Sequence, residues 1–488
     1  MKKIISLSLY LCILTSCVLY SCGDKSTSDN LKDDMHAAGE QSADETGAAD
    51  EREKISDGLP EADFGGYNFR IYTAPNFVEN VAAYEEIGDV INDTIYRANK
   101  IVEERFNIKI TALEGAAGDV DLVNEIKKTI QSGDEAFDIS FAHDSLTGAA
   151  TLEGYYINLY DVPNLDFTKP WWPEHTVSSL TFDGQMFMFS NSISTLGMDW
   201  TRIIYINKGL AKDFGLTVPY QDVFDGVWTL EKLIQMSKDV YIDVNGNGSR
   251  DIEDTYGYGY GGAFYCSAEP FGIQTVKKDE DTLELSINNE RTLKAVELMY
   301  GLLFGSAGAY YDKDSYEGTA IDMFGQGSRL FIQGELGKAR QKFRYSDVDY
   351  GILPFPKLDE NQDNYYAGYT DRLFTVPTTA KNLERTGIII EAMSAEGWKK
   401  IFPAYYEIAM KNKFLSDEES IQILDMIYSS RVLDFSYIYG IKFYMFLTDL
   451  FSNANPSTDF VSYYEKNEKS VVSTLRKIEE KFLALKDD

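Results

Sequence analysis

The chain is 488 residues long, about three times a common domain length of roughly 150 residues, which leaves room for one to three domains. Apolar residues make up 44%, which excludes a wholly disordered chain, and 78 acids against 46 bases give a formal net charge of −32. That balance argues against sequence-independent binding to a nucleic-acid backbone, which needs a basic face, and suits a neutral or cationic small partner. Only His36, His143 and His175 are present, too few for histidine-rich metal catalysis.

Met1-Lys2-Lys3 precedes an apolar run from Ile4 to Leu14. The run is too short for a membrane span of about 20 residues and has the shape of an export signal. Leu19-Tyr20-Ser21-Cys22 resembles the bacterial lipobox, in which Cys22 would take the lipid. Leu14-Thr15-Ser16-Cys17 fits the same pattern, but Gly23-Asp24-Lys25 follow Cys22 at once and favour it. Residues 1–21 are then a lipoprotein signal peptide. The stretch 22–63 is acidic and has no aromatic residue, so it is expected to be a disordered tether. Cys266 is the sole cysteine beyond the leader, which excludes a disulfide framework and makes it a small core residue.

Tyr67 to Tyr72 alternates as a strand and breaks at Thr73-Ala74-Pro75-Asn76. Asp93 to Phe106 reads as a helix with Ile95, Ala98, Val102 and Phe106 on one face. A short strand at Ile108–Ile110, a helix at Leu122–Ile130 and a strand at Phe137–Phe141 follow, an alternation that predicts a parallel sheet with helices on both faces. In such sheets the ligand crevice lies beyond the carboxyl ends of the strands, which singles out Tyr72-Thr73 and His143-Asp144-Ser145. No glycine-rich phosphate loop follows any of them. A second series starts at Ile203–Lys208, with a helix capped by Thr229 and a strand leaving through Pro354-Phe355-Pro356. Ala392–Tyr405, Asp417–Tyr428 and Val461–Leu485 read as amphipathic helices.

Asp243-Val244-Asn245-Gly246-Asn247-Gly248-Ser249-Arg250-Asp251-Ile252-Glu253-Asp254 has the spacing of an EF-hand-type calcium loop. Asp243, Asn245, Asn247, Asp251 and Asp254 fall at the side-chain positions, and Ser249 supplies its carbonyl. Arg250 and the short arm of Asp254 depart from the pattern. The expected cofactor is a structural Ca2+ that staples a surface loop.

Several further motifs in one order carry a resemblance: Gly88-Asp89-Val90-Ile91-Asn92-Asp93, Phe137-Asp138-Ile139-Ser140, Lys169-Pro170-Trp171-Trp172, Tyr205-Ile206-Asn207-Lys208, Trp228-Thr229-Leu230 and Gly351 to Lys357. With Ala404-Tyr405-Tyr406, Asp417 to Ser420 and the lipoprotein leader, the body resembles the family 1 extracellular solute-binding proteins of ABC importers, the maltose-binding-like carbohydrate group. The resemblance implies an α/β, two-lobe periplasmic-binding-protein-like fold (type II), with hinge strands and a ligand cleft between the lobes. Residues 64–195 and 371–425 would form one lobe, 196–370 and 426–488 the other, with the chain crossing near 194–199 and 368–373. It further implies a monomer, anchored to the membrane through its lipid alone, that delivers a neutral oligosaccharide to importer permease subunits.

Sugars offer C–H faces to aromatic rings and hydroxyls to charge-assisted acceptors. The candidate contacts are therefore Asp144, Ser145 and Tyr72 at the strand ends, and Asp199, Trp200, Tyr369, Asp371 and Arg372 at the crossings. Trp171 and Trp172 are expected in the wall beneath the cleft. A glycoside hydrolase, with two carboxylates across a cleft, and a sensor or adhesion protein are the alternatives. No nucleophile elbow, zinc motif or phosphate loop supports the first of these.

Overall fold

The computed structural model describes residues 51–261, 268–312, 318–415, 417–452 and 455–487. The expected signal peptide, Cys17, Cys22, most of the expected tether and Cys266 lie outside them. The first strand and helix form where the sequence places them: β1 (Tyr67–Thr73) and α1 (Val90–Phe106). The helix starts three residues earlier than its apolar face suggests, because the Asp89 carboxylate accepts the Ile91 and Asn92 amides as an N-cap. Ile95, Ala98, Val102 and Phe106 are all buried, as that face requires. β2 (Ile108–Glu114), α2 (Asp119–Gln131), β3 (Ile139–His143) and α3 (Asp144–Thr151) follow.

β1, β2 and β3 are parallel, but the sheet they form also has an antiparallel strand, β13 (Arg372–Thr375), in the order β13-β3-β1-β2. The expectation of a purely parallel sheet is therefore corrected. The reason is topological: the chain re-enters this sheet at the carboxyl end of β3, where Arg372 pairs with His143, and so runs back along it.

Between β3 and β13 the chain passes through α4 (Glu174–Leu180), α5 (Leu196–Asp199) and a second sheet. That sheet contains β4 (Arg202–Asn207), β5 (Tyr241–Ile242), β6 (Thr255–Gly261), β9 (Ala309–Asp312), β10 (Arg329–Glu335) and β11 (Tyr350–Leu353). Its order is β11-β4-β10-β6-β5, with β9 also paired to β6, and parallel and antiparallel pairs are mixed. The helix after Trp228, α6 (Leu230–Ser237), has Thr229 at its N-cap position without a capping side-chain bond; Leu230 N–H donates to the Lys357 carbonyl instead. A hairpin of β7 (Val276–Lys278) and β8 (Leu283–Leu285), α7 (Glu290–Phe304), α8 (Lys338–Gln341) and β12 (Ala367–Gly368) complete this part.

After β13 comes α9 (Leu383–Glu396), then α10 (Glu418–Ser429), β14 (Arg431–Val432), α11 (Phe435–Ile438) and α12 (Phe460–Asp487). The expected continuous helix over 392–405 instead changes to π-helical turns at Gly397–Ile401 and Ala404–Phe414. Gly397 is pressed onto the backbone there: a Cβ would lie 2.5 Å from the Ser192 carbonyl oxygen. These helices do not divide between the lobes at 425. In α10, Ser420 accepts the Ile352 amide of β11, whereas α11 packs on α3. No helix among the described residues is long and apolar enough to cross a membrane.

Two further departures are local. The tether is expected to run to Asp63, but Glu53 to Asp63 lie on the folded body. Asp57 pairs with Arg105, Glu53 with Lys400, and Asp63 accepts a bond from the Asn107 amide. Few apolar groups are needed for such docking when several polar bonds share the cost of ordering. The Trp171-Trp172 pair lies in the interior as expected, with both indole N–H groups donating to the buried Glu391 of α9, at 2.8 and 2.9 Å.

Burial pushes the Glu391 carboxyl up to about 7, against the opposing pull of the two indoles. The folded state therefore holds a proton that the unfolded chain releases near 4.5. The stability this adds is complete below that value and is lost as pH rises through about 7. Between pH 4.5 and 7.5, Glu391→Gln is expected to flatten the decline in melting temperature relative to wild type. Parallel pH curves for the two proteins would show that the carboxyl does not titrate in this window.

Candidate functional site

Strand directions bring five chain segments to one place. The carboxyl end of β3 meets the start of β13, and the start of β4 pairs with the end of β10, Arg202 opposite Glu335. Thr201 bridges to Tyr369, and β12 pairs with β14, so the segments crossing between the sheets lie side by side. The crevice rule applied to β3 therefore points at the junction of the two sheets.

Asp144 is buried at this junction, at the first position of α3. One carboxylate oxygen accepts the Ser145 amide at 2.8 Å and lies 3.0 Å from His143 Nδ1; the other accepts the Asp371 amide at 3.1 Å. Burial lowers the His143 pKa, but its bond to the Asp144 carboxylate outweighs this and leaves the imidazole above its usual value. Burial and the nearby Asp144 carboxylate together raise Tyr437 well above an ordinary tyrosine. Burial and the same charge push Tyr444 up to about 12. The two rings meet edge to face at 5.0 Å.

Tyr437 and Tyr444 line a small pocket with Arg202, Glu269, Thr370 and Asp434. Its free volume is about 10 Å³, room for about one water. A sugar ring cannot enter unless the two sides part. None of these six residues is evident from strand periodicity. The signal that was present is the aromatic density of Phe435, Tyr437, Tyr439, Phe443 and Tyr444, with Asp434 capping α11 in front of it.

A second group lies on the β13 side. Arg372 places its guanidinium 4.0 Å from the Phe77 ring centre and pairs with Asp119 at 2.6 Å. Phe77 meets Trp200 edge to face at 6.0 Å. Trp200, Phe77, Ser145 and His143 are all half-buried, and so form a polar and aromatic shelf still open to a ligand.

Other candidates have structural roles. The Tyr72 hydroxyl donates to Glu125 at 2.9 Å and its ring stacks on Phe137, so the aromatic that the β1 end sends to the junction is Phe77. Asp199 is wholly buried, accepts bonds from Nε and one terminal nitrogen of Arg340, and is bonded to the Tyr405 hydroxyl at 2.8 Å. It locks the first crossing to α8 and to the turns after α9, and has no face left for a ligand. Tyr369 is buried with its hydroxyl bonded to Thr176, beneath the Arg431 guanidinium. Asp371 is buried as well, accepting the Ser190 hydroxyl; burial first, with Asp144 adding to it, raises its carboxyl to about 7. Asp371 thus backs the site, whereas Tyr369, though buried, is part of the junction-pocket lining.

In the proposed metal loop, Asp243 accepts the Gly246 and Gly248 amides, at 2.7 and 2.8 Å, which folds Asp243 to Asp251 into consecutive tight turns. Gly246 and Gly248 take positive φ, 70° each, as the turns require. The Asn245 and Asn247 amide groups both point at Asp251. Asp254 is buried and accepts the Val244 amide and the Tyr241 hydroxyl. Among the described residues no three acid, histidine or cysteine side chains converge as a ready-made metal centre. Arg250, the departure at the eighth position, donates to the Ala307 and Ala309 carbonyls and holds the loop against β9.

No protein-family model and no curated protein matches the sequence. Solved structures do match. The GacH receptor of Streptomyces glaucescens, solved unliganded and with acarbose, is 13% identical with a TM-score of 0.53, over 87% of this chain and 99% of that one. The ABC substrate-binding protein Lmo0181 of Listeria monocytogenes, in complex with cycloalternan, is 12% identical with a TM-score of 0.51, over 86% and 98%. A cyclo/maltodextrin-binding protein complexed with maltotetraose is 14% identical with a TM-score of 0.52, over 88% and 99%. The chain has the two-lobe solute-binding-protein fold of these structures, with its junction pocket where the lobes meet.

Proposed function

We propose that this protein is an extracytoplasmic binding protein, anchored through lipid on Cys22, that captures a neutral oligosaccharide and presents it to an ABC importer. The observation that carries the reading is the buried Asp144 carboxylate facing the Tyr437 hydroxyl at the junction of the lobes. A carboxylate so placed accepts sugar hydroxyls in charge-assisted bonds, with water excluded once the lobes close. Ser145, Trp200 and Phe77, the last held from behind by the buried Arg372, supply further polar and stacking contacts from the shelf. The solved relatives bound to acarbose, cycloalternan and maltotetraose support a carbohydrate ligand.

The test is a thermal-shift and calorimetric screen of neutral oligosaccharides, with the ligand recovered afterwards. Saturable binding of a sugar recovered intact at one equivalent supports the reading, with stabilisation following RT ln(1 + [L]/Kd). Cleaved product would instead make the protein a hydrolase.

Calcium belongs to the same proposal as a structural ion. Asp243, Asp251 and the Ser249 carbonyl provide oxygen ligands. Half-turns of the Asn245 and Asn247 amides, whose oxygen and nitrogen ends are nearly isosteric, provide two more. Asp254 completes the set while keeping its Val244 bond. EDTA is expected to lower the melting temperature by several degrees and added Ca2+ to restore it; an unmoved melting temperature removes the ion from the account.

A further inference from the structure

His143 ends β3 and Asp144 starts α3, so the two side chains meet where the chain turns. The imidazole Nδ1 lies 3.0 Å from one Asp144 oxygen, and the Ser145 hydroxyl lies 3.4 Å from that same nitrogen. A carboxylate only accepts, so Nδ1 carries a proton and further protonation takes place at Nε2, across the ring. Both neighbours meet one nitrogen, which sets the trio apart from a Ser–His–Asp relay, where the base divides its two nitrogens between acid and nucleophile. The Asp144 side chain is 1% exposed and the imidazole 31%. The histidine is therefore the member of the pair that water reaches, and its charge follows the medium.

The surroundings favour the charged ring in the unliganded molecule. Burial penalises the imidazolium, but the bond to Asp144 on α3 and the charges of Asp144 and Asp119 outweigh it. Arg372 on β13 opposes them, while itself paired with Asp119 at the start of α2. Asp371, Tyr437 and Tyr444 bear on the same Asp144 carboxylate, with Arg202 and Asp434 beside the tyrosines.

A bound sugar works against the charged ring in two ways. Its hydroxyls take up lone pairs of the Asp144 carboxylate, whose charge is then shared among more donors. Its bulk also replaces water on the exposed edge of the ring, which penalises the imidazolium. Both effects have one sign: the ring holds its second proton less firmly once the site is filled.

We propose that His143 is a positioning residue for capture, whose charged form competes with ligand hydroxyls for the Asp144 carboxylate, so that acid weakens binding and each ligand taken up expels a proton. This rests on the sugar-binding reading above and adds to it the regulation of that site. Affinity is full above the pKa that His143 has in the empty protein and declines as pH falls through it. The loss is about tenfold for each unit by which the sugar lowers that pKa. The other histidine among the described residues does not titrate there, because burial, and then Arg431, lower His175 to about 4.

The experiment is calorimetry on the full mature protein with neutral tetrasaccharides of the glucan, xylan, mannan and galactan series. For the tightest binder of these, affinity is expected to fall roughly tenfold between pH 8 and 5.5. Up to one proton should be released per sugar, read from the dependence of the heat on the ionisation enthalpy of the buffer. His143→Gln, whatever its own affinity, should hold that affinity constant over the range and release no proton. Proton NMR gives a second reading on the wild-type protein: the ring signal missing from His143→Gln should titrate at lower pH with the sugar bound than without it. An affinity independent of pH, or an unshifted ring titration, overturns the inference and leaves the sugar-binding reading standing. So does a dependence that survives in His143→Gln, which would assign the proton to a carboxyl such as Asp371. Failure of every sugar at every pH overturns both.

Discussion

Asp199→Ala is expected to cost roughly 3–5 kcal/mol of folding stability, the usual loss when one partner of a buried ion pair is removed. Asp199 has no exposed surface, and the alanine leaves the Arg340 guanidinium facing the Tyr405 hydroxyl without its paired carboxylate. Burial opposes the charge on Arg340, but the bond to Asp199 outweighs it and holds the guanidinium more firmly protonated than usual, so it cannot escape the loss by neutralising. Denaturant titration reads the effect as a lower midpoint. Adding Arg340→Met to Asp199→Ala should recover much of the loss, because the stranded charge is then gone. A single substitution costing under about 1 kcal/mol would mean that water screens the pair.

Asp144→Asn is expected to weaken sugar binding by roughly one to two decades for each charge-assisted bond it removes, at about 1.5–3 kcal/mol apiece. Asparagine keeps one oxygen acceptor, so one of the Ser145 and Asp371 amides loses its partner and the unliganded protein should fold but melt below wild type, by less than the alanine variant. Asp144→Ala should lose binding altogether, with some stability, because the Asp371 amide is left without its acceptor. The two substitutions separate ligand recognition from scaffolding. Unchanged affinity in the asparagine variant would place the sugar elsewhere and leave Asp144 as a joint between α3 and β13.

The local rules read the first sheet well. Apolar spacing marked the buried face of α1, and the strand-end rule placed Asp144 at the junction without any knowledge of β13. They failed where the answer depended on a distant partner. Asp199 stands at a crossing, which made it a ligand candidate, but Arg340 lies 141 residues further on and takes its carboxylate. Tyr72 ends a strand as expected, yet Glu125 on α2, beyond the next strand, claims its hydroxyl. The tyrosines nearest the buried carboxylate arrive from the C-terminal helices, which no spacing along β3 can announce. Arg250 looked like a defect in a calcium loop and proves to be its attachment to the neighbouring strand.

The antiparallel strand β13 also bears on how the polypeptide is made. β3 lies between β1 and β13, so its outer edge stays unpaired until Arg372 and its neighbours have been synthesised. By then every strand of the other sheet has already emerged. The two halves are interleaved in order of synthesis, and a fragment ended before Arg372 exposes a bare β-edge of apolar residues, a template for aggregation. An expression strategy for either half alone would have to supply the missing strand in trans or by circular permutation.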